Sequence, residues 1–113
     1  LVCYNDEQPW DRLPVSQQDK IVAECVDYAQ DLQRSGHLRS AGRLQATATA
    51  TTVRGENGST FVMDGPFAET KEVLAGYYLV TCKDRAEALA IAARNPKLKH
   101  GHGSIEVRAM IAD

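Results

Sequence analysis

The chain has 113 residues, 43% hydrophobic content and a mass of 12.4 kDa, the dimensions of one globular domain with a single apolar core. We therefore predict one domain over residues 1–113. A net charge of -2 and a pI near 5.9 exclude a broad basic surface, so we expect no nucleic-acid partner. Its apolar stretches are shorter than the roughly 20 residues of a membrane-spanning helix, so we expect a soluble protein without a membrane partner.

Three cysteines, Cys3, Cys25 and Cys82, lie far apart on segments that otherwise look buried. Their odd number and the absence of a CxxC pair favour reduced core residues and a cytoplasmic setting. A reactive free thiol is the alternative. The chain begins at Leu1, inside an apparent strand, and we expect further residues before it.

The first half of the chain predicts a strand, a helix and a second strand. Residues 1–4 favour the strand, and the polar, proline-containing residues 5–14 favour a loop. A helix is predicted from Ser16, as N-cap, to a stop at Gly36. Residues 37–45 predict the second strand, which Gly42 interrupts. The helix face expected to cover a sheet carries Val22, Cys25, Val26, Ala29 and Leu32.

The second half predicts a hairpin, a strand, a helix and a last strand. Residues 47–54 and 59–63 flank the turn segment 55–58 and form the hairpin. Residues 73–83 are rich in β-forming side chains and predict a central strand. Asp84, with Glu87 three residues later, begins a helix that ends at residues 95–96. Its predicted apolar stripe carries Leu89, Ala92 and Ala93, and residues 104–111 predict the final strand.

This order of elements predicts an α+β fold with a ferredoxin-like split βαβ arrangement. In that fold both helices cover one face of an antiparallel sheet, and the opposite face stays bare. Because an exposed apolar sheet face is normally hidden by a partner, we predict a homodimer formed through the sheet face.

The polar segment that follows the hairpin, residues 64–72, is the part that local structure explains least. Asp64 sits at a strand end beside Phe67, where a carboxylate can act as a general acid or base. A structural turn explains Asp64-Gly65-Pro66 equally well. Lys71, between Glu69 and Glu72, can hold an anionic group, although solvated surface charge is the common role of such residues.

The run DGPFAETKE, the strand Gly76-Tyr77-Tyr78-Leu79, the helix start at Glu87 and the final segment 103–108 resemble the YCII-related family, in its DGPF-containing branch. Gly42 and the Val53-Arg54 pair fit the same pattern. The resemblance implies a dimeric α+β barrel with a cleft between sheet and helices for an unknown small molecule. It also implies a His–Asp pair in some relatives, and one relative is similar to a dehydrochlorinase.

On this resemblance Asp64 is the aspartate of the motif, and His37 is our first choice for its histidine partner. His100 and His102 lie in a glycine-rich loop. A surface or capping role is the alternative for all three histidines. Because His100 and His102 lack an identifiable third ligand, we predict no metal site.

Four residues are predicted to bind the ligand: Arg54, Lys71, Tyr78 and Arg108. Arg54 and Arg108 can recognise a carboxylate through their planar guanidinium groups. Ion pairs on exposed strands are the alternative for both. Tyr78, with Trp10, can wall an aromatic pocket or simply belong to the core.

The leading functional hypothesis is a small-molecule-binding protein with cofactor-independent acid/base activity of the lyase or isomerase type. The alternative is a non-catalytic ligand-sensing or accessory module associated with transcription regulation, because the resemblance extends to members linked to alternative sigma factors. A weaker option is a haem-degrading or quinol-type monooxygenase, since dimeric α+β barrels also host those activities. Whether the chain is an enzyme stays open.

Overall fold

The computed structural model describes residues 1–112, which form a four-stranded sheet, a two-stranded hairpin and four helices. The strands are β1 (Val2–Asp6), β2 (Leu38–Arg43), β3 (Thr51–Glu56), β4 (Ser59–Asp64), β5 (Glu72–Val80) and β6 (Ser104–Glu106). The helices are α1 (Glu7–Asp11), α2 (Val15–Arg34), α3 (Arg85–Ala93) and α4 (Pro96–Lys99). No helix within this part of the chain is long and apolar enough to cross a membrane.

The main sheet has the strand order β2-β5-β1-β6, and every neighbouring pair is antiparallel. The units β1-α2-β2 and β5-α3-β6 interleave, so that β5 lies between β1 and β2. This is the predicted α+β, ferredoxin-like arrangement. The hairpin β3–β4 is inserted between the two units and forms a separate sheet.

Helix α2 begins at Val15, one residue before the predicted cap at Ser16, because the carbonyl of Pro14 accepts from Gln17 and Gln18. Its buried residues are Ile21, Cys25, Tyr28 and Leu32, at spacings of 4, 3 and 4. Cys25 and Leu32 confirm the predicted face, whereas Val26 is 49% exposed. Including Tyr28 as an apolar residue would have moved the predicted stripe to the correct side.

Asp84 caps α3 as predicted, accepting from the backbone N–H of Glu87 at 2.8 Å. Ile91 and Ala92 are buried, but Leu89 points away from the core and is 45% exposed. The helix ends after Ala93. Asn95 then caps the short helix α4, which explains how the chain turns at Asn95-Pro96.

Several predicted boundaries were wrong. The predicted loop 5–14 contains the short helix α1, which Asp6 caps by accepting from Gln8. Residues 47–49 form a 3₁₀ turn, so β3 starts only at Thr51. Strand β5 stops at Val80, and β6 ends at Glu106 instead of residue 111. The hairpin loop itself is confirmed, because Asn57 and Gly58 have the positive φ angles of a tight two-residue turn.

The core lies between the sheet and the helices. The Tyr28 hydroxyl donates to the Ile91 carbonyl at 2.7 Å, and the Tyr28 ring meets Tyr78 edge-on at 5.4 Å. Cys3 and Cys25 are buried free thiols, and Cys82 is a partly buried one. Burial raises the pKa of Cys3 and Cys25, so both are protonated at neutral pH. Cys3 and Cys25 therefore lie in the core as predicted, whereas Cys82 is only packed against its edge.

The opposite face of the sheet is open. Leu74, Tyr77 and Leu79 lie on it and are 48%, 44% and 36% exposed. Every residue of β4 is exposed, including Phe61, Val62 and Met63. The radius of gyration is 16.0 Å, against about 13 Å for a compact chain of this length. The molecule is therefore flat, with dimensions of 46 × 44 × 19 Å.

Candidate functional site

The turn Asp64-Gly65-Pro66 is built on Gly65, whose φ of 96° is unfavourable for a residue with a side chain. The backbone N–H of Gly65 donates to the Ala50 carbonyl at 2.8 Å. The Thr52 hydroxyl donates to the Gly65 carbonyl, also at 2.8 Å. These bonds extend the hairpin by one step and aim the following segment back towards the main sheet.

A cavity of about 660 Å³ opens where that segment passes the end of β1, and we call it the DGPF cavity. One wall is formed by Gly65, Pro66 and residues 68–71, and the other by residues 6–8 with Thr47 and Ala48. Its charged lining residues are Asp6, Glu7, Glu69 and Lys71. Lys71 is thus the single cation among three carboxylates in this lining.

Glu7 is held rigidly at the rear of this cavity. One carboxylate oxygen accepts from the Thr47 backbone N–H at 3.0 Å, and the other accepts from the Thr47 hydroxyl at 2.5 Å. The 3₁₀ turn at residues 47–49 therefore serves to fix a carboxylate, which the sequence prediction of a strand there had missed. Two hydrogen bonds leave further lone pairs free on both oxygens.

A second, smaller cavity of about 130 Å³ lies on the other side of Glu7 and Val73, which line both cavities. We call it the Lys97 cavity. Lys97 and Arg43 contribute its positive charges, and Glu7 and Asp11 its negative ones. The Lys97 amine lies 5.6 Å from the centre of the Trp10 ring. Trp10 therefore lines a cavity. Tyr78, which was expected to share a pocket wall with Trp10, does not line this cavity.

Asp64 itself is exposed and does not line the DGPF cavity, although its neighbour Gly65 does. Among residues 1–112 its side chain makes no hydrogen bond or ion pair with the protein. The Phe67 ring is 77% exposed and gives the carboxylate no apolar enclosure. The motif residues that reach the DGPF cavity are its second half, with Glu69 and Lys71.

His37 lies at the far end of the sheet. Its carbonyl accepts from Thr81, just after β5, whereas Lys71 lies just before β5. Nine strand residues separate the two positions, or roughly 30 Å at about 3.3 Å per residue. The structure therefore does not bring His37 to the DGPF cavity within one chain.

His37 instead belongs to a hydrogen-bonded chain of three side chains. Its Nδ1 lies 2.7 Å from the Ser35 hydroxyl, and its Nε2 lies 3.0 Å from a Glu87 carboxylate oxygen. Ser35 also bonds the Leu32 carbonyl at the end of α2. These contacts join the end of α2 to the start of α3, which is the capping role considered for this histidine.

The other predicted ligand-binding residues do not gather around the DGPF cavity. Arg54 is exposed on β3, opposite Phe61. Arg108 is exposed and forms an ion pair with Glu106. Tyr78 lies in the core against Tyr28, on the sheet face that the helices cover. Only Lys71, of the four, lines a described cavity.

His100 and His102 do not approach each other as metal ligands. His100 lies 2.9 Å from a Glu24 carboxylate oxygen, and His102 meets the Trp10 ring edge-on at 6.0 Å. The hydrogen bond from His100 lowers the pKa of Glu24. Residues 1–112 contain no cluster of three or more His, Cys, Asp or Glu side chains that fits a metal ion.

Alkaline pH should weaken the fold through Tyr78. Burial raises the pKa of Tyr78 from 10.0 to about 12, so the unfolded chain releases this proton first. The contribution of Tyr78 to the free energy of unfolding should therefore fall by roughly 2 kcal/mol between pH 10 and 12, in addition to the contribution of Tyr28, whose pKa burial also raises. Urea unfolding across this range should show a shallower fall in Tyr78→Phe. The matched variant Tyr77→Phe, on the open face, should keep the wild-type slope, and equal slopes in all three proteins would contradict the expectation.

Sequence reasoning missed the residues that meet from distant parts of the chain. Glu7 contacts Thr47 across 40 residues, and Lys97 meets Trp10 across 87. No local spacing links these positions. The only sequence signal was the concentration of charge in residues 64–72, which contains Glu69 and Lys71 of the cavity lining.

Comparison with known proteins gives the chain a family. The family model described as YCII-related domain matches residues 1–111. An uncharacterised protein of Rhizobium meliloti (strain 1021) is 36% identical over 110 residues, covering 97% of this chain and 89% of the relative. The relative's name assigns it no activity.

Proposed function

The chain belongs to the family of YCII-related domains, and from that premise we propose that it binds a small polar molecule in the DGPF cavity. The observation that carries the proposal is the cavity itself. Its volume of about 660 Å³ lies in the range of small-molecule sites, and the most distinctive segment of the sequence forms one of its walls.

The charges of the lining support a ligand with several hydroxyl groups and one acidic group. Lys71 can pair with the acidic group, because it is the cation of the lining. The carboxylates of Glu7 and Glu69 accept hydrogen bonds from hydroxyl groups. A purely anionic ligand would meet three carboxylates, so the hydroxyl groups are essential to the match.

The same groups support acid/base chemistry without a cofactor. Glu7 is fixed by Thr47, and a fixed carboxylate near a bound hydroxyl or an acidic C–H group can accept its proton. Glu69 lies on the opposite wall. A lyase or isomerase reaction requires this kind of proton transfer. Asp64 does not line this cavity, so it can serve as the acid or base only if a second copy of the chain or a loop movement brings a ligand to it.

Ligand binding can be tested by thermal shift with 4-hydroxybenzoate, lactate and other small hydroxylated carboxylic acids. A ligand at ten times its Kd adds about 1.4 kcal/mol to the free energy of unfolding. That corresponds to a rise in Tm of roughly 5–7 °C for a domain of this size. A panel without any shift would contradict the proposal.

Lys71→Gln should weaken the binding of a ligand from this panel about tenfold, because it removes a charge-assisted hydrogen bond. Titration calorimetry measures the loss. The matched control is Lys83→Gln, which removes an exposed lysine outside the described cavities. Equal affinities of the two variants would show that the ligand binds elsewhere.

The open sheet face and the hairpin support a homodimer. An isolated two-stranded hairpin is marginally stable in water, yet β3 and β4 pair chiefly with each other. The apolar residues Leu74, Tyr77 and Leu79 stand together on the uncovered face. Packing two such faces together would bury both sets of residues and enclose a barrel between the copies.

A non-catalytic role is the second candidate, and the isolated position of Asp64 favours it. Neither His37 nor any other histidine lies within hydrogen-bonding distance of this carboxylate in residues 1–112. Turnover assays with Asp64→Asn and Glu7→Gln discriminate the two roles. Ligand binding with no turnover in the wild-type protein would favour a ligand-sensing or accessory module, whereas wild-type turnover that either variant abolishes would establish an enzyme.

A further inference from the structure

Two cations without an acidic partner, Lys97 and Arg43, line the Lys97 cavity. Within residues 1–112 neither Lys97 nor Arg43 lies within ion-pair distance of a carboxylate, although Glu7 and Asp11 line the same cavity. Exposed lysines and arginines of this chain do form such pairs, as Lys99 does with Glu24. Two unpaired cations, the partly buried Lys97 and the exposed Arg43, that line one small cavity can together recognise a small anion.

The Lys97 amine is held in a fixed position at this cavity. It lies over the Trp10 ring and donates to the Asn5 side-chain oxygen at 2.8 Å. With the Asn5 amide oriented so that its oxygen faces Lys97, its nitrogen donates to the Tyr4 and His102 carbonyls, and Asn5 is therefore itself anchored. The amine therefore has little of the rotational freedom of a surface lysine.

The surroundings of the amine also ease its deprotonation. Burial lowers the pKa of Lys97, and the positive charge of Arg43 lowers it further, although Cys25 and Cys3 act in the opposite direction. A lowered pKa increases the fraction of neutral amine, and the neutral amine is the nucleophile. The burial of Lys97 beside Trp10 thus favours its reaction with a carbonyl compound.

We propose that the Lys97 cavity binds a short 2-oxo acid, with Arg43 holding its carboxylate and the Lys97 amine forming an imine with its carbonyl carbon. The volume of about 130 Å³ suits a molecule of a few heavy atoms. The two cavities share Glu7, but binding of the 2-oxo acid at Lys97 does not require a ligand beside Lys71.

The reaction balances without an outside oxidant or reductant. The amine nitrogen attacks the carbonyl carbon and loses one proton, while the carbonyl oxygen gains one and becomes a hydroxyl. That hydroxyl leaves as water with the second proton of the nitrogen, and the C=N bond forms. Glu7 and Asp11, which line the cavity, can carry the proton between nitrogen and oxygen.

The test uses glyoxylate as the probe and sodium cyanoborohydride to reduce the imine to a stable secondary amine. Peptide mass spectrometry then gives the labelling rate of each lysine. Lys97 should react about tenfold faster than the exposed lysines, because binding holds the carbonyl beside the amine. Its rate should also saturate with glyoxylate concentration. The exposed lysines Lys20, Lys83 and Lys99, which line neither cavity, provide internal controls, and their rates should rise linearly.

A further comparison tests the role of Arg43. Arg43→Gln should slow the labelling of Lys97 by glyoxylate but not by acetaldehyde, which has no carboxylate. In the wild-type protein, labelling of Lys97 no faster than that of the exposed lysines would overturn the proposal. A labelling rate that does not saturate with glyoxylate concentration would also overturn it. Binding at the DGPF cavity would be unaffected by that result.

Discussion

Gly103→Ala should destabilise the protein by about 4 kcal/mol, enough to lower its Tm by roughly 15–20 °C. Two separate effects combine at this position. Gly103 has a φ of 122°, which a residue with a side chain rarely adopts, and an added Cβ would lie 2.0 Å from the Tyr4 carbonyl oxygen. Since Tyr4 is fixed in the middle of β1, the backbone has to move apart where β1 meets β6.

The matched control for this substitution is Gly101→Ala in the same loop. Gly101 has a φ of 72°, but an added Cβ would meet no atom within 4 Å. Its cost should therefore be the conformational strain alone, about 1 kcal/mol. Thermal or urea unfolding measures both variants. Similar losses of stability in the two would show that the close contact with Tyr4 does not exist in solution.

Leu79→Asp should convert the proposed dimer into a monomer. The substitution places a carboxylate on the open sheet face, where dimer formation would bury it without a partner. In a symmetric dimer the change occurs twice, at about 3 kcal/mol each, so the dimer Kd should rise on the order of 10⁴-fold. Sedimentation velocity should then report a particle near 12.4 kDa, where the wild-type protein reports about twice that mass.

Leu89→Asp is the control for charge and for residue type. Leu89 has a similar exposure of 45%, but it lies on the outer side of α3, away from the sheet. This variant should stay dimeric. A monomeric wild-type protein, or a Leu79→Asp variant that remains dimeric, would refute association through the sheet face.

Much of the fold follows from local sequence signals. The capping residue Asp84 and the turn Asn57-Gly58 act over a few residues, and both behave as predicted. Alternating β-forming residues placed the hairpin and β5. The errors occurred where signals were weak, as in α1, which depends on one aspartate cap and is only five residues long. The buried faces of α2 and α3 were predicted incorrectly in part. Tyr28 is buried although it carries a hydroxyl group, and Leu89 is exposed although it is apolar.

The candidate site was predictable in part. The charged segment 64–72 indicated Lys71 and Glu69, which line the DGPF cavity. The pairing of Asp64 with His37 stays a prediction without support from the geometry of one chain. The Lys97 cavity had no signal in the sequence, because its parts come from β1, α1, β2 and α4.

The polar segment 64–72 shows which features depend on local sequence and which depend on tertiary packing. The sequence by itself determined that the chain bends directly after β4, since Gly65 can adopt a positive φ and Pro66 fixes its own φ, and both effects are local. Only the tertiary structure decided which charged side chains face a cavity. That outcome depends on how β1, the 3₁₀ turn and the start of β5 pack together, through contacts between residues 40 or more positions apart. Packing of this kind fixes Glu7 through Thr47 and places Lys97 over the Trp10 ring.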